Sequence, residues 1–336
     1  MDSGPSWTLI ERHDGRPSLR SRVINRAERA FVRPYMDHID FNDPRDMAKL
    51  ARVDRVARRL RPARGTAVEP VSLGDFDAEW VHGRGVPESR SDKVVLYFHG
   101  GGWVFMGPGT HRRMLTCISR AARSPVLSVA YRMMPQVSFH AEIGDCLTAY
   151  RWLLAAGVAP ADVAVAGDSA GGHLAFAMVL RARAEGLPMP GCIVALAPCL
   201  DLDLTTKLSH PNSRTDSIIS PRWMASLHRA FLSELDTSDP AISPIHADLR
   251  GLCPVMLTVS ATELLVGDSE RMAERLAAAQ VPHVLAVWTR QSHVFQQAGN
   301  VRPEAKASIA AIGAFIKDPM TYIGSSQPPS LTRHPG

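Results

Sequence analysis

One stretch limits what this chain can fold into more than any other: Val163-Ala164-Val165-Ala166-Gly167-Asp168-Ser169-Ala170-Gly171-Gly172, continued by an apolar run from Leu174 to Leu180. The opening residues are small, mostly β-branched or alanine, and read as a buried strand. The run after Gly172 carries no charge until Arg181 and suits a helix packed on a sheet. A strand that passes straight into a helix through Gly-x-Ser-x-Gly must bend so sharply that Ser169 takes a strained backbone conformation. Glycine at 167 and 171 lets neighbouring backbone pass close to the bend.

The rest of the chain alternates in the same manner. Strand signals fall at Ala67–Leu73 and Phe76–His82, a hairpin, and at Val94–Phe98, which runs into His99-Gly100-Gly101-Gly102. A helix is expected near His111–Ala122, a strand over Val126–Tyr131 and a helix around Ile143–Ala155. Beyond the bend follow a strand at Ile193–Ala197, a strand at Val255–Ser260, a helix at Ser269–Ala279, a strand at His283–Trp288 and a helix at Pro303–Ile316. Alternation at this spacing predicts an α/β fold, a mostly parallel central sheet with helices on both faces.

Two segments stand outside that rhythm. Ahead of the first strand, apolar residues at 19, 23, 27 and 31 form a helical stripe that Pro34 should end, and Met47, Leu50, Val53, Ala57 and Leu60 form a second, stopped by Pro62. Their apolar faces are expected to rest on something downstream, with a cap over the site a natural place. Residues 201–245 are polar and proline-punctuated, too long for a simple crossover, and read as a second cap piece. The predicted organisation is a helical cap segment over residues 1–65 whose first 17 residues are poorly ordered, a core over 66–200 and 246–317, a cap insertion over 201–245, and a disordered tail over 318–336.

Residues 1–64 hold 14 arginines and one lysine against nine acids, whereas the remainder is near neutral. Nucleic acid or anionic lipid could take such a segment, but the arginines interleave with acids and lack an aromatic stacking pattern, so a solvated basic face is expected, with retention on neither nucleic acid nor anionic membrane. No segment reaches the ~18 apolar residues of a membrane span. The N-terminus reads as neither a signal nor a transit peptide. The five cysteines are scattered, which suits free thiols in the cytoplasm and argues against a metal site. No strand is followed by Gly-x-Gly-x-x-Gly, so no nicotinamide cofactor is expected; a homodimer is compatible with the sequence.

The bend after Ala166 lifts the Ser169 hydroxyl above the sheet's carboxyl edge and aims the N–H of Ala170 at a developing oxyanion. A hydroxyl needs a base to take its proton and an acid to orient that base. In chain order serine, acid, histidine, the candidates past later strand ends are Glu263 and His293. Asp268, expected as a helix N-cap, and Asp201 and Asp203 are rival acids; Glu263 leads on strand-end placement. Gly101 and Gly102 offer two further unhindered donors beside Ala170, and His99 should brace that loop through its ring nitrogens.

His99-Gly100-Gly101-Gly102 paired with Gly167-Asp168-Ser169-Ala170-Gly171-Gly172 resembles the hormone-sensitive-lipase-like family of α/β-hydrolases, especially its bacterial carboxylesterase and acetyl-hydrolase members. The likeness spans roughly residues 65–317 and includes Tyr131-Arg132, Asp239-Pro240, Ser243-Pro244 and His293-Val294-Phe295. It implies nucleophile Ser169, acid Glu263, base His293, an oxyanion hole of Gly101, Gly102 and Ala170, support from His99, Gly100 and Asp168, and no cofactor. The expected activity is hydrolysis of small carboxylic esters with short acyl chains. Acyl transfer, amide hydrolysis or a non-catalytic ligand-binding role on the same fold are the alternatives. Met106 stands where the family has glycine, and Gln136 removes an acidic partner expected near Arg132. Such departures imply an acyl pocket of unusual shape.

Overall fold

A computed structural model describes residues 8–87 and 93–325. Among the described residues nine strands form one sheet: β1 (Thr8–His13), β2 (Ala67–Ser72), β3 (Asp77–His82), β4 (Val94–Phe98), β5 (Val126–Ala130), β6 (Val163–Asp168), β7 (Cys192–Leu196), β8 (Val255–Ser260) and β9 (His283–Trp288). Their spatial order is β1-β9-β8-β7-β6-β4-β5-β3-β2. Only β3 runs against the rest, pairing antiparallel with β2 and β5.

The central strands are buried on both faces, as the near-continuous apolar runs require. Alternate residues serve two helical layers. Val94, Leu96 and Phe98 join the core formed with α5 (Phe139–Ala155), α6 (Ala170–Ala184) and α9 (Val266–Ala278). Val95 and Tyr97 face the other way, onto α4 (Pro108–Ala122) and α10 (Pro303–Lys317). Because β4, β6, β8 and β9 share a direction, the loops that follow them gather at one edge of the sheet.

The N-terminal segment departs from expectation. Thr8–His13 pairs in parallel with β9 along its whole length, Thr8 opposite His283 and His13 opposite Trp288. Its His13 stacks on Trp288 at 3.7 Å, and its buried Glu11 accepts a 2.9 Å hydrogen bond from the Tyr322 hydroxyl. Residues 8–13 are therefore part of the sheet; residues 1–7 lie outside the described residues. The expected tail also carries structure: α11 (Pro319–Gly324) is capped by Asp318 and buries Tyr322 and Ile323, while 326–336 lie outside the described residues.

The helix from Leu19 does not stop at Pro34. α1 (Leu19–Ala27) passes through a π-helical turn (Glu28–Val32) into α2 (Arg33–Asp37), so Pro34, which has no N–H to donate, lies inside a continuous run directly after the π-helical turn. α3 (Pro44–Arg59) follows, capped by Asp43, and buries Leu50. The insertion contributes α7 (Thr205–Ser209) and α8 (Pro221–Leu227). The stripe along this helical run faces away from the protein: Leu19 and Val23 of α1 and Phe31 of the π-helical turn are 67%, 54% and 75% exposed. Its inward contacts are mostly polar, with Ser18 and Ser21 on Glu304 and with Asn25 and Glu28 on the buried Arg302.

Deleting residues 1–14 should strip β1 from the sheet and leave β9 as a bare edge. At about 1 kcal/mol per ladder hydrogen bond, a loss of a few kcal/mol is expected, read as a lowered urea midpoint with a new tendency to aggregate.

Candidate active site

Ser169 occupies the bend between β6 and α6 with φ 54° and ψ −119°, a region costly for any residue with a Cβ. The bend closes only because its glycines lack side chains. A Cβ on Gly167 would stand 2.2 Å from the Gly171 carbonyl oxygen, and one on Gly171 would stand 2.0 Å from that of Phe98. The Ser169 N–H donates to the Leu196 carbonyl at 2.8 Å, tying the bend to β7.

Behind the bend, Asp168 is the hub of a buried polar cluster. Its carboxylate accepts from the Tyr97 hydroxyl at 2.7 Å and from the Gly100 N–H at 3.1 Å, and pairs with His111 Nε2 at 3.1 Å. Burial opposes charge on both partners, yet their attraction prevails: Asp168 is held below the ordinary carboxylate value and His111 above the ordinary imidazole value. The other ring nitrogen of His111 donates to the Gly107 carbonyl. The glycine loop is thus anchored at Gly100 from one side and spans to α4 on the other.

His99 braces the same loop through one ring nitrogen, not both. Its Nδ1 donates to the Gly100 carbonyl at 2.8 Å, its Nε2 is buried without a protein partner, and the ring stacks on Tyr131 at 4.3 Å. Burial lowers it to about 4, so it is neutral. Gly101 and Gly102 take φ values of 124° and 59°; a Cβ on Gly101 would collide with the Phe105 carbonyl oxygen at 2.0 Å. Ala170 is the first residue of α6, directly after Ser169.

Glu263 and His293 come together past the ends of β8 and β9. His293 Nδ1 donates to Glu263 Oε2 at 2.8 Å, and Glu263 Oε1 accepts the Ser260 N–H at 2.8 Å. Both side chains are nearly fully buried. With Nδ1 committed to the carboxylate, Nε2 is the nitrogen left to accept a proton. Burial raises the Glu263 carboxyl, with His293 pulling the other way. Burial also opposes the imidazolium, but the Glu263 hydrogen bond and charge outweigh it, so His293 titrates above its ordinary 6.5.

The rival acids are committed elsewhere. Asp268 lies inside the first turn of α9 and is not its N-cap, which is Leu265. It holds Lys207 at 2.9 Å and accepts the Leu200 and Asp201 N–H groups. Asp201 pairs with Arg271, and Asp203 caps Thr205. Arg132 does not lack a partner either: Asp145 of α5 receives its guanidinium at 2.7 and 3.0 Å, replacing the charge that Gln136 cannot supply.

Ser169, His293, Gly101 and Gly102 share the wall of one cavity of about 440 Å³. Phe105, Met106, Ile218, Ile219 and Trp223 make it largely apolar, and Ile24, Glu28 and Met36 close it from the N-terminal cap. Met106 sits at φ 70° and, with Phe105, separates this cavity from a second of about 670 Å³ lined by Met47, Met133 and Met134.

Sequence reasoning missed how the cap holds the site. Asp216, buried in the insertion, accepts the Leu264 N–H beside Glu263 at 2.8 Å, and Asn212 donates to the Ala261 and Glu263 carbonyls. Arg33 grips the carbonyls of Ser213 and Asp216, and Arg29 that of Arg214. On the other side Asn25 donates to the Arg290 carbonyl, three residues before His293. No local spacing marks such residues; only their long-range contacts in the folded chain do.

A family profile described as the alpha/beta hydrolase fold matches residues 95–297. The chain is 36% identical over 316 residues to the carboxylesterase/phospholipase LipF of Mycobacterium tuberculosis, covering 92% of this chain and 84% of that protein. It is 31% identical to an acetyl-hydrolase of Streptomyces hygroscopicus, covering 74% and 81%. Among solved structures, an esterase from the bacterial hormone-sensitive lipase family superposes with a TM-score of 0.77 at 33% identity, covering 90% of this chain and 99% of that one.

Replacing Asp168 by Asn should leave His111 as a buried cation without its counter-charge, a loss of about 3–5 kcal/mol at near-neutral pH in urea unfolding. The sign follows from the two shifts. The lowered Asp168 contributes stability above the unfolded carboxylate value and loses it as pH falls through its folded one. The raised His111 contributes below 6.5 and loses it as pH rises through its folded value. The gap between variant and wild type should therefore narrow at alkaline pH.

Proposed function

The chain belongs to the hormone-sensitive-lipase-like family of α/β-hydrolases and is a carboxylic ester hydrolase, and on that premise we propose that Ser169 is its nucleophile, His293 its general base and Glu263 the acid that orients the base. The single observation that carries the assignment is the 2.8 Å bond from His293 Nδ1 to Glu263, formed in the wall of the cavity that Ser169 also lines.

In this reading His293 Nε2 takes the Ser169 proton as the hydroxyl oxygen attacks the ester carbonyl, and Glu263 stabilises the resulting imidazolium. The N–H groups of Gly101, Gly102 and Ala170 receive the oxyanion, each well-aimed donor supplying about 3 kcal/mol to the transition state. The imidazolium then protonates the leaving alcohol, and water repeats the sequence on the acyl-enzyme. No step calls for a cofactor. A cavity of about 440 Å³ with an apolar wall accords with short-chain, acetyl-type acyl groups. Five free cysteines, four of them buried, accord with a reducing cytoplasmic setting. Among the described residues no helix is long and apolar enough to cross a membrane.

Ser169→Ala and His293→Ala should each lower kcat on p-nitrophenyl acetate by about 10⁴–10⁶-fold with the fold intact, and Glu263→Gln by about 10⁴-fold. In wild type, kcat/KM should rise with pH through a midpoint above 6.5, because only the neutral imidazole accepts a proton; Glu263→Gln should move that midpoint down. Full activity in Glu263→Gln would remove the assignment.

Met106 controls chain length in the same reading. Met106→Gly should relieve a left-handed residue and join the two cavities. The preferred acyl chain in a p-nitrophenyl ester series should lengthen, with turnover of the acetate little changed.

A further inference from the structure

The helical run from Leu19 to Asp37 is docked mainly through polar contacts, with Ile24 and Met36 its apolar exceptions at the cavity wall, and turns its most exposed large apolar side chains outward. Ser21 is fully buried against Glu304, and Asn25 and Glu28 engage Arg302, which is 1% exposed. On the opposite face Leu19, Val23, Phe31 and Tyr35 are all more than half exposed, and the π-helical turn keeps Phe31 and Tyr35 in line with the first two. A solvated helix of a soluble protein has the reverse arrangement. Exposed arginines flank the stripe, Arg16, Arg20 and Arg26 among them, within the segment that carries 15 cationic against nine acidic residues.

We infer that this outward face docks on a bilayer surface bearing anionic phospholipid. Exposed large apolar side chains set among arginines are the two ingredients of interfacial binding, one for the acyl boundary and one for the headgroups. Charge decides between occupants. A second copy seated face to face would set this cationic segment against itself. Nucleic acid would satisfy the arginines but gain nothing from Leu19, Val23 and Phe31. An anionic lipid surface matches both. Ile24 and Glu28 of the same run line the catalytic cavity, so a docked molecule holds that cavity immediately beneath the membrane-facing helix. The assignment stands whether or not the catalytic roles above are right, since it concerns the opposite face of the helix.

The test is co-sedimentation of the full chain with phosphatidylcholine vesicles, with and without phosphatidylglycerol. Binding to the phosphatidylglycerol vesicles is expected, weaker by roughly tenfold or more on phosphatidylcholine alone and weakened by high salt. Leu19→Ser with Phe31→Ser should weaken binding by roughly tenfold or more. Arg16→Gln with Arg26→Gln should weaken it on the order of thirtyfold. Hydrolysis of a water-soluble ester by all three proteins should stay at the wild-type rate, which reports folding independently of docking. No sedimentation with phosphatidylglycerol, or equal sedimentation with neutral vesicles, overturns the inference. So does a concentration-dependent dimer that Phe31→Ser dissolves, or binding to duplex DNA that exceeds binding to anionic vesicles.

Discussion

The site depends first on how closely two backbones approach at the head of the sheet. The first turn of α6 rests on the end of β4, with Gly171 so near the Phe98 carbonyl that no Cβ fits between them. That contact sets the height of Ser169 above the sheet and brings the loop after β4 alongside it, so the hydroxyl and the Gly101 and Gly102 amides are positioned by one packing event. Asp168 locks the arrangement with charge. It bonds Tyr97 on β4, Gly100 in the loop that follows and His111 on α4, and so ties strand, loop and helix to one charge. A buried carboxylate is worth keeping only where donors and a counter-charge compensate it, and here Tyr97, Gly100 and His111 do so.

Glu263 and His293 rest on a different kind of support. Both follow strands, but neither lies in regular structure, and loops hold geometry only where something holds them. Ser260 ties the two loops together: its hydroxyl donates to the Gln291 carbonyl at 2.7 Å and accepts the Gln291 N–H. The cap holds them from above, the insertion through Asn212 and Asp216 and the N-terminal helix through Asn25. Arg29 and Arg33 fasten the insertion to that helix in turn. The cap segments are therefore a frame for Glu263 and His293 as well as a cover for the cavity.

This division explains what could be read from the residue order. Val255–Ser260 and His283–Trp288 stand as strands over the expected residues because each is a short, mostly apolar run bounded by polar or turn-forming residues, and Glu263 and His293 were picked from where those runs stop. The helix-sandwiched parallel sheet followed from the alternation, and its α/β-hydrolase type from the resemblance carried by His99–Gly102 and Gly167–Gly172. β1 was illegible because Thr8–His13 is an edge strand with one face to solvent and a buried glutamate whose partner, Tyr322, lies at the far end of the chain. Asp145 as the partner of Arg132, and Asp216 beside the acid loop, belong to the same class: the interaction is non-local and leaves no spacing to find. Periodicity located the apolar stripe of α1 correctly and said nothing about which way it faces.

Magnitudes decide that last question. Turning α1 to bury Leu19, Val23 and Phe31 would gain about 1.5–3 kcal/mol for each side chain, and less on the fraction they already bury. It would also take Asn25 and Glu28 away from Arg302, leaving a buried guanidinium uncompensated at about 3–5 kcal/mol, and would release Glu304 from the two serines that satisfy it. The two sides are of similar size until Asn25 is counted, because losing it also frees the Arg290 carbonyl next to the base loop. The polar seam then wins, and the apolar stripe is left facing outward as its consequence. An interface that covers the stripe recovers the forgone hydrophobic term without disturbing the seam, so docking and catalytic geometry do not compete for the same helix face.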